Sequence, residues 1–217
     1  DSGTGETLAN MKKAKTYSNW TGIDAVSSVG NGGTAWRIYE GNTTPLLTSF
    51  FKGVVTATGL DNQTVTYNRT TQTADISGAV YSPADIDTSH IYAGSNRNAG
   101  TYSTIYSDQQ GYDLVNEKTL TINPIVLTAT LTGDNVFTKE YDGDTTVDQG
   151  LTLGSTYTLD KVVSNDTVSI ATNTTGSYNN KNAGIGKTIS YTGIALDGAD
   201  AGNYTIAGTL SGAVGKI

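Results

Sequence analysis

Alternation of apolar and polar residues with a period of two dominates this chain and predicts β-strands along most of it. Val54-Val55-Thr56-Ala57-Thr58, Thr64-Val65-Thr66-Tyr67, Asp75 to Tyr81, Asn98 to Tyr106 and Lys118-Thr119-Leu120-Thr121-Ile122 read as strands. So do Ile125 to Thr130, Thr156 to Leu159, Val168-Ser169-Ile170, Lys187 to Tyr191 and Asn203 to Ile206. Helical spacing occurs once, over Thr7 to Lys15, with Thr7 placed to cap it. Asn123-Pro124 ends a strand, because proline cannot donate to a ladder. Asp142-Gly143 predicts a tight turn, since glycine reaches φ > 0 at no steric cost and aspartate bonds its own backbone.

The strands recur. Leu127-Thr128-Ala129-Thr130 echoes Val55-Thr56-Ala57-Thr58, Tyr141 falls where Tyr67 falls, and Asn182-Ala183-Gly184 echoes Asn98-Ala99-Gly100. Offsets of roughly 75 to 85 residues suit an array of small domains and not a solenoid coil. The expected organisation is a segment 1–50, a glycine-rich β-module 51–124 and a second β-module 125–217. A short proline-containing linker between the modules predicts a semi-rigid, elongated tandem. Asx-Ala-Gly-x-Tyr occurs at Asn98 to Tyr102 and at Asp200-Ala201-Gly202-Asn203-Tyr204. Immunoglobulin-like sandwiches place a tyrosine at such a corner, its hydroxyl bonded to nearby backbone. The expected class is therefore all-β, with tandem sandwich modules; β-grasp-like modules are the alternative. In this reading Tyr67 and Tyr141 are core landmarks and Asp142-Gly143 is local turn chemistry.

Composition narrows the function. The 217 residues are 36% hydrophobic and include 26 glycines, which suits thin repeated β-modules. A net charge of −7 argues against nucleic acid and anionic membrane surfaces as partners. Without cysteine there is no disulfide framework and no thiolate metal site. No signal peptide heads the sequence and no apolar run has membrane-spanning length, which reads as a piece of a longer protein.

Two resemblances give this architecture a setting. Met11, Trp20, Ile23-Asp24, Trp36-Arg37-Ile38, Gly41 and Pro45-Leu46 follow the order seen where the β-helical shaft ends in filamentous-haemagglutinin-type adhesins. That resemblance implies that residues 1–50 are the last coil and cap of a right-handed β-helix; both tryptophans read as plugging the end of a core that began upstream, with anchors of a small independent cap as the alternative. Lys139-Glu140-Tyr141-Asp142-Gly143-Asp144-Thr145, Asn182-Ala183-Gly184 and Gly198 to Tyr204 resemble the YDG module of bacterial surface adhesins. Residues 51–124 resemble the related glycine-rich repeats but lack the Asp-Gly after Tyr67. Together these imply a non-enzymatic stalk of a secreted or surface-attached adhesin, in cell adhesion, aggregation or biofilm. Its partners would be a host or biofilm glycan or a protein receptor. An outer-membrane secretion partner would act through regions outside this segment. A carbohydrate-binding module using exposed tyrosines is the alternative.

Chemistry-bearing residues are sparse. His90 is the single histidine and sits in Asp87-Thr88-Ser89-His90 with no nucleophile elbow, so it reads as an ordinary loop or strand-edge residue. The pairs Asp85/Asp87, Asp142/Asp144 and Asp197/Asp200 lack the Asp-x-Asp-x-Asp-Gly spacing of a calcium loop and read as turn residues. No catalytic, cofactor or metal residue is expected. A Lys–Asn isopeptide crosslink would need a buried lysine beside an acid, and Lys139 near Asp142 is the place to look. Sequons make Asn19, Asn42, Asn62, Asn68, Asn165, Asn173 and Asn203 candidate glycosylation sites.

Overall fold

The computed structural model describes residues 6–20, 23–26, 36–39, 41–47, 54–84, 86–108, 113–115, 118–171 and 174–217. The chain is all-β apart from a few short helical turns, and it divides into two compact units, Asp1–Asn123 and Pro124–Ile217.

The first unit opens on α1 (Leu8–Met11), where Thr7 Oγ1 accepts from Asn10 N at 3.2 Å as the expected cap, and on a 3₁₀ turn, Ala14–Tyr17. Strands β1 (Ile23–Val26) and β2 (Trp36–Tyr39) pair in parallel, and β3 (Leu46–Leu47) runs antiparallel to β2. Trp20 is 45% exposed and Tyr17 and Trp36 are half-buried, and the three rings cluster with centroids 5.0 and 5.1 Å apart. Among the described residues this stretch buries Arg37, Ile38, Tyr39, Thr43 and Leu46.

The unit continues with β4 (Val54–Thr58), β5 (Gln63–Thr66), β6 (Gln72–Thr73), β7 (Val80–Ser82), β8 (Ile91–Ala93), β9 (Ser95–Asn96), β10 (Gly100–Ser103), β11 (Ile105–Ser107), β12 (Asp113–Val115) and β13 (Thr119–Asn123). The strand expected over Asp75 to Tyr81 is only β7 at its end. Ahead of it, Asp75 Oδ1 accepts from Ser77 N at 2.9 Å and turns the chain.

The second unit comprises β14 (Ile125–Leu127), β15 (Ala129–Leu131), β16 (Phe137–Thr138), β17 (Thr146–Val147), β18 (Tyr157–Leu159), β19 (Ser169–Ile170), β20 (Thr175–Tyr178), β21 (Ile185–Thr192), β22 (Leu196–Asp197), β23 (Tyr204–Ile206) and β24 (Thr209–Lys216). Its largest sheet runs β16-β24-β21-β20-β17.

One pairing plan serves both units. From β4 onward in the first unit, and from β14 in the second, the first strand pairs in parallel with the penultimate one: β4 with β12, and β14 with β23. An antiparallel pair follows: β7 on the other edge of β4, and β18 on β15, the strand after β14. The last strand lies between a parallel and an antiparallel neighbour: β13 between β5 and β10, and β24 between β16 and β21. The antiparallel pairs β6–β9 and β8–β11 return as β17–β20 and β19–β22. Pairing is thus mixed, where a sandwich of the immunoglobulin type would be antiparallel throughout.

Tyrosine supplies much of the apolar mass that composition withholds. In the second unit Tyr157, Tyr178 and Tyr191 pack with Phe137, Ile170, Ile189 and Leu210. Their hydroxyls are satisfied inside: Tyr178 donates to Phe137 O at 3.0 Å, Tyr191 donates to Gln149 O, and Tyr157 accepts from Ile170 N at 2.8 Å. The first unit's core gathers Val55, Ala57, Leu60, Ile91, Ile105 and Leu114.

Candidate functional site

The chain between β16 and β17 forms a turn held by several side-chain hydrogen bonds. Strand pairing ends where Lys139 N donates to Lys216 O at 3.1 Å. Gly143 takes φ +87°, as the Asp-Gly turn demands. Asp142 Oδ1 accepts from Asp144 N at 3.1 Å, and Asp144 Oδ1 accepts from Thr146 N at 2.8 Å. Two successive Asx turns therefore reverse the chain.

Lys139 closes this turn from below. Its Nζ lies 2.7 Å from Asp142 Oδ2 and 2.6 Å from Asp144 Oδ1, and donates to Thr146 O at 3.2 Å. The ammonium also sits 5.9 Å from the centroid of the Tyr178 ring. Only 8% of the lysine side chain is exposed, against 46% and 60% for the two carboxylates. The hydrogen bonds that Lys139 donates to Asp142 and Asp144 hold its pKa well above the usual lysine value. The Lys139 ammonium, then backbone N–H groups, hold Asp142 and Asp144 below the usual carboxylate range. Burial raises Tyr178.

This arrangement constrains the chemistry. An amine whose protonated form is favoured by these contacts is a poor nucleophile, so isopeptide formation at Lys139 is disfavoured by the same contacts that bring it near Asp142. The ammonium also stands between the two carboxylates, where a cation would otherwise sit. Among the described residues no group of three or more His, Asp or Glu could hold a metal ion.

Tyr141 overturns its expected role. It is 62% exposed and not part of the core, whereas Tyr67 is 2% exposed. Strand register explains the difference. Tyr67 N donates to Asn123 O at 2.9 Å beyond the β5–β13 pair, and the residue making that bond beyond β16–β24 is Lys139. Lys139 is the counterpart of Tyr67, and Tyr141 rides on the turn inserted after it.

The other landmarks do not converge on this turn. At Asn98, the N–H donates to Asn96 Oδ1 at 3.0 Å, and at Asn182 to Asn180 Oδ1 at 3.1 Å. Gly100 and Gly184 follow with φ of +154° and +155°. The Asn-Ala-Gly echo is thus one turn built twice. Tyr102 forms the expected corner, its hydroxyl donating to Asn98 O at 2.9 Å. Tyr204 does not: its hydroxyl donates to Asp166 Oδ2 at 2.6 Å and accepts from Val163 N at 3.0 Å. The cause is that Asp200-Ala201-Gly202-Asn203 winds into a 3₁₀ turn over Ala201–Asn203, with Asp200 Oδ2 accepting from Thr167 N at 2.9 Å.

Among the sequons, Asn203 is corrected: it is buried and cannot receive a glycan. Asn19, Asn62, Asn68 and Asn165 are exposed and Asn42 half-buried; Asn173 and Asp85 lie outside the described residues. His90 Nδ1 lies 2.9 Å from Asp108 Oδ1, beside the directly paired Tyr92 and Tyr106. Sequence reading missed the Lys139 clamp and the Asp166–Tyr204 bond. The first had a signal in the Lys-x-x-Asp-x-Asp spacing; the second, 38 residues apart, had none.

The clamp makes a pH-dependent prediction. Replacing Lys139 by Met leaves two carboxylates facing each other and is expected to lower the urea midpoint of the second unit at pH 7. Folded-state pKa values of Asp142 and Asp144 are depressed, so their contribution is present above the ordinary aspartate value and lost as pH falls through the depressed values. Lys139 is raised, so its contribution is complete below the ordinary lysine value and lost as pH rises through the raised one. The gap between native and K139M midpoints should be widest between these limits and narrow toward pH 2. A gap independent of pH would contradict the clamp.

Residues 123–211 match the family described as the YDG domain, and the chain contains such a domain over its second unit. No curated protein and no solved structure matches the chain.

Proposed function

We propose that this chain, with its YDG domain and a preceding unit of the same pairing plan, is a non-enzymatic stalk segment of a large secreted or surface-attached bacterial adhesin. The repetition of that plan carries the reading, because consecutive copies of one fold are how a chain gains reach without a new active site. Strand direction adds support. The strand that opens each copy of the plan, β4 or β14, is held by a parallel partner, and so is the last strand, β13 or β24. Tension along the chain then loads those hydrogen bonds together in shear instead of one at a time. The parallel β1–β2 pair suits successive turns of a coil at the end of a shaft. Tyr141, exposed on its clamped turn, is available for contact with a receptor.

A spacer replacement tests this. Deleting residues 124–217 from the parent protein should reduce adhesion or aggregation of the producing cells at unchanged surface abundance. An unrelated β-sandwich of similar length in the same place should restore it. Adhesion unaffected by the deletion, or unrestored by the spacer, would reject the stalk role of this unit.

A further inference from the structure

The first unit holds a polar cleft of about 460 Å³, inside the roughly 300–1,000 Å³ range of ligand pockets. Lys13, at the end of the α1 segment, lines one side, with Gly41, whose N–H donates to Lys12 O at 2.8 Å. Thr71, Ser95, Asn96, Arg97 and Asn98 line the other. The two sides touch, for a Cβ on Gly41 would stand 2.5 Å from Asn96 Nδ2.

Charge marks this cleft out. The chain carries −7 overall, yet the ionised side chains lining the cleft are both cations and none is a carboxylate. Among the described residues neither Lys13 nor Arg97 is paired with an acid. The segment bearing Arg97 is also fixed from two directions. Asn96 Oδ1 accepts from Arg97 N at 2.8 Å and from Asn98 N at 3.0 Å, and the Tyr102 hydroxyl donates to Asn98 O at 2.9 Å. Such preorganisation lowers the ordering cost of binding.

We propose that this cleft binds an oligosaccharide bearing carboxylates, of the uronate type. A guanidinium pairs with a carboxylate through two parallel hydrogen bonds, and an ammonium serves as a second point charge. Side-chain amides of Asn96 and Asn98 and hydroxyls of Thr71 and Ser95 match the hydroxyls of pyranose rings. Ala9 and Tyr102 complete the lining, where side chains able to bond ring hydroxyls outnumber the apolar ones, which favours sugar over an acidic peptide. This site is separate from the stalk role and from the clamped turn of the second unit.

Calorimetric titration of the 217-residue chain with trigalacturonate tests it, with the fully methyl-esterified trisaccharide and an acidic hexapeptide as comparisons. Trigalacturonate should bind at least tenfold more tightly than its ester, and more weakly as salt rises. Lys13→Ala and Arg97→Ala should each weaken binding about tenfold, about 1.4 kcal/mol, and Lys181→Ala should leave it unchanged. Near-ultraviolet circular dichroism of the nearby tryptophans verifies that the variants fold, and Arg97→Lys should retain part of the affinity. Equal binding of ester and acid, equal binding of the hexapeptide, or affinity unchanged in both Lys13→Ala and Arg97→Ala would overturn the proposal. The spacer replacement does not involve these residues, so its outcome is independent.

Discussion

Phe137→Ala is expected to remove about 3–5 kcal/mol from the second unit while leaving the first in place. Phe137 is 0% exposed and lies in β16, its ring centroid 5.7 Å from that of Tyr191 at 58°. Truncation removes the ring's transfer energy and leaves a cavity among Tyr191 and the aliphatic residues of one small core, which strands that short cannot close by sliding. Against a typical domain stability of about 5–15 kcal/mol the loss is large. The chain provides its own way of seeing where the loss falls. Both tryptophans, Trp20 and Trp36, lie in the first unit and none lies in the second. Urea unfolding followed by tryptophan fluorescence should therefore keep its midpoint, while far-ultraviolet circular dichroism shows an earlier transition for the second unit. A fluorescence midpoint that moves by the same amount would show that the units unfold as one.

How much of this was legible beforehand follows from where each determinant lies. Local alternation located most strands, because the period of two is written in neighbouring residues. It could not show that Ile125 to Thr130 breaks into two strands. Thr128 N leaves the ladder for Asp160 Oδ1 at 2.6 Å, a partner 32 residues away. Nor could it show strand direction: the parallel pairs join segments far apart in sequence. The Asn-Ala-Gly turn was readable, since Asn96 or Asn180, the alanine and the glycine are all local. Tyr141 was misread for the opposite reason. Residue type equated it with Tyr67 although its spacing from the echoed strand is two residues longer, whereas equal spacing from Val55 and Leu127 selects Lys139, the position whose backbone bond matches that of Tyr67. Lys139 itself was visible only as half of a motif. Its burial depends on Tyr178 in β20, which no spacing announces.

The second large effect should fall on the other unit. Gly94→Ala is expected to cost about 3 kcal/mol or more, at or beyond the upper end of ordinary overpacking. Three stretches of backbone meet at Gly94. Its N–H donates to Thr104 O at 2.7 Å, and its carbonyl accepts from Ala74 N at 2.8 Å. A Cβ there would overlap the Ser103 carbonyl oxygen and approach Ser103 C to 3.0 Å and Thr104 C to 3.2 Å. The obstacle is backbone, so no side-chain rotation relieves it. Relief requires parting β8 from the β10–β11 turn, which loosens Ile91 and Ile105 in the first unit's core. The tryptophan fluorescence midpoint should now fall and the second unit's transition stay. Gly150→Ala supplies the contrast. Nothing lies within 4 Å of a Cβ at that position, so its midpoints should stay within about 0.5 kcal/mol of native. If the two substitutions behaved alike, the close approach at Gly94 would not be what holds those strands together.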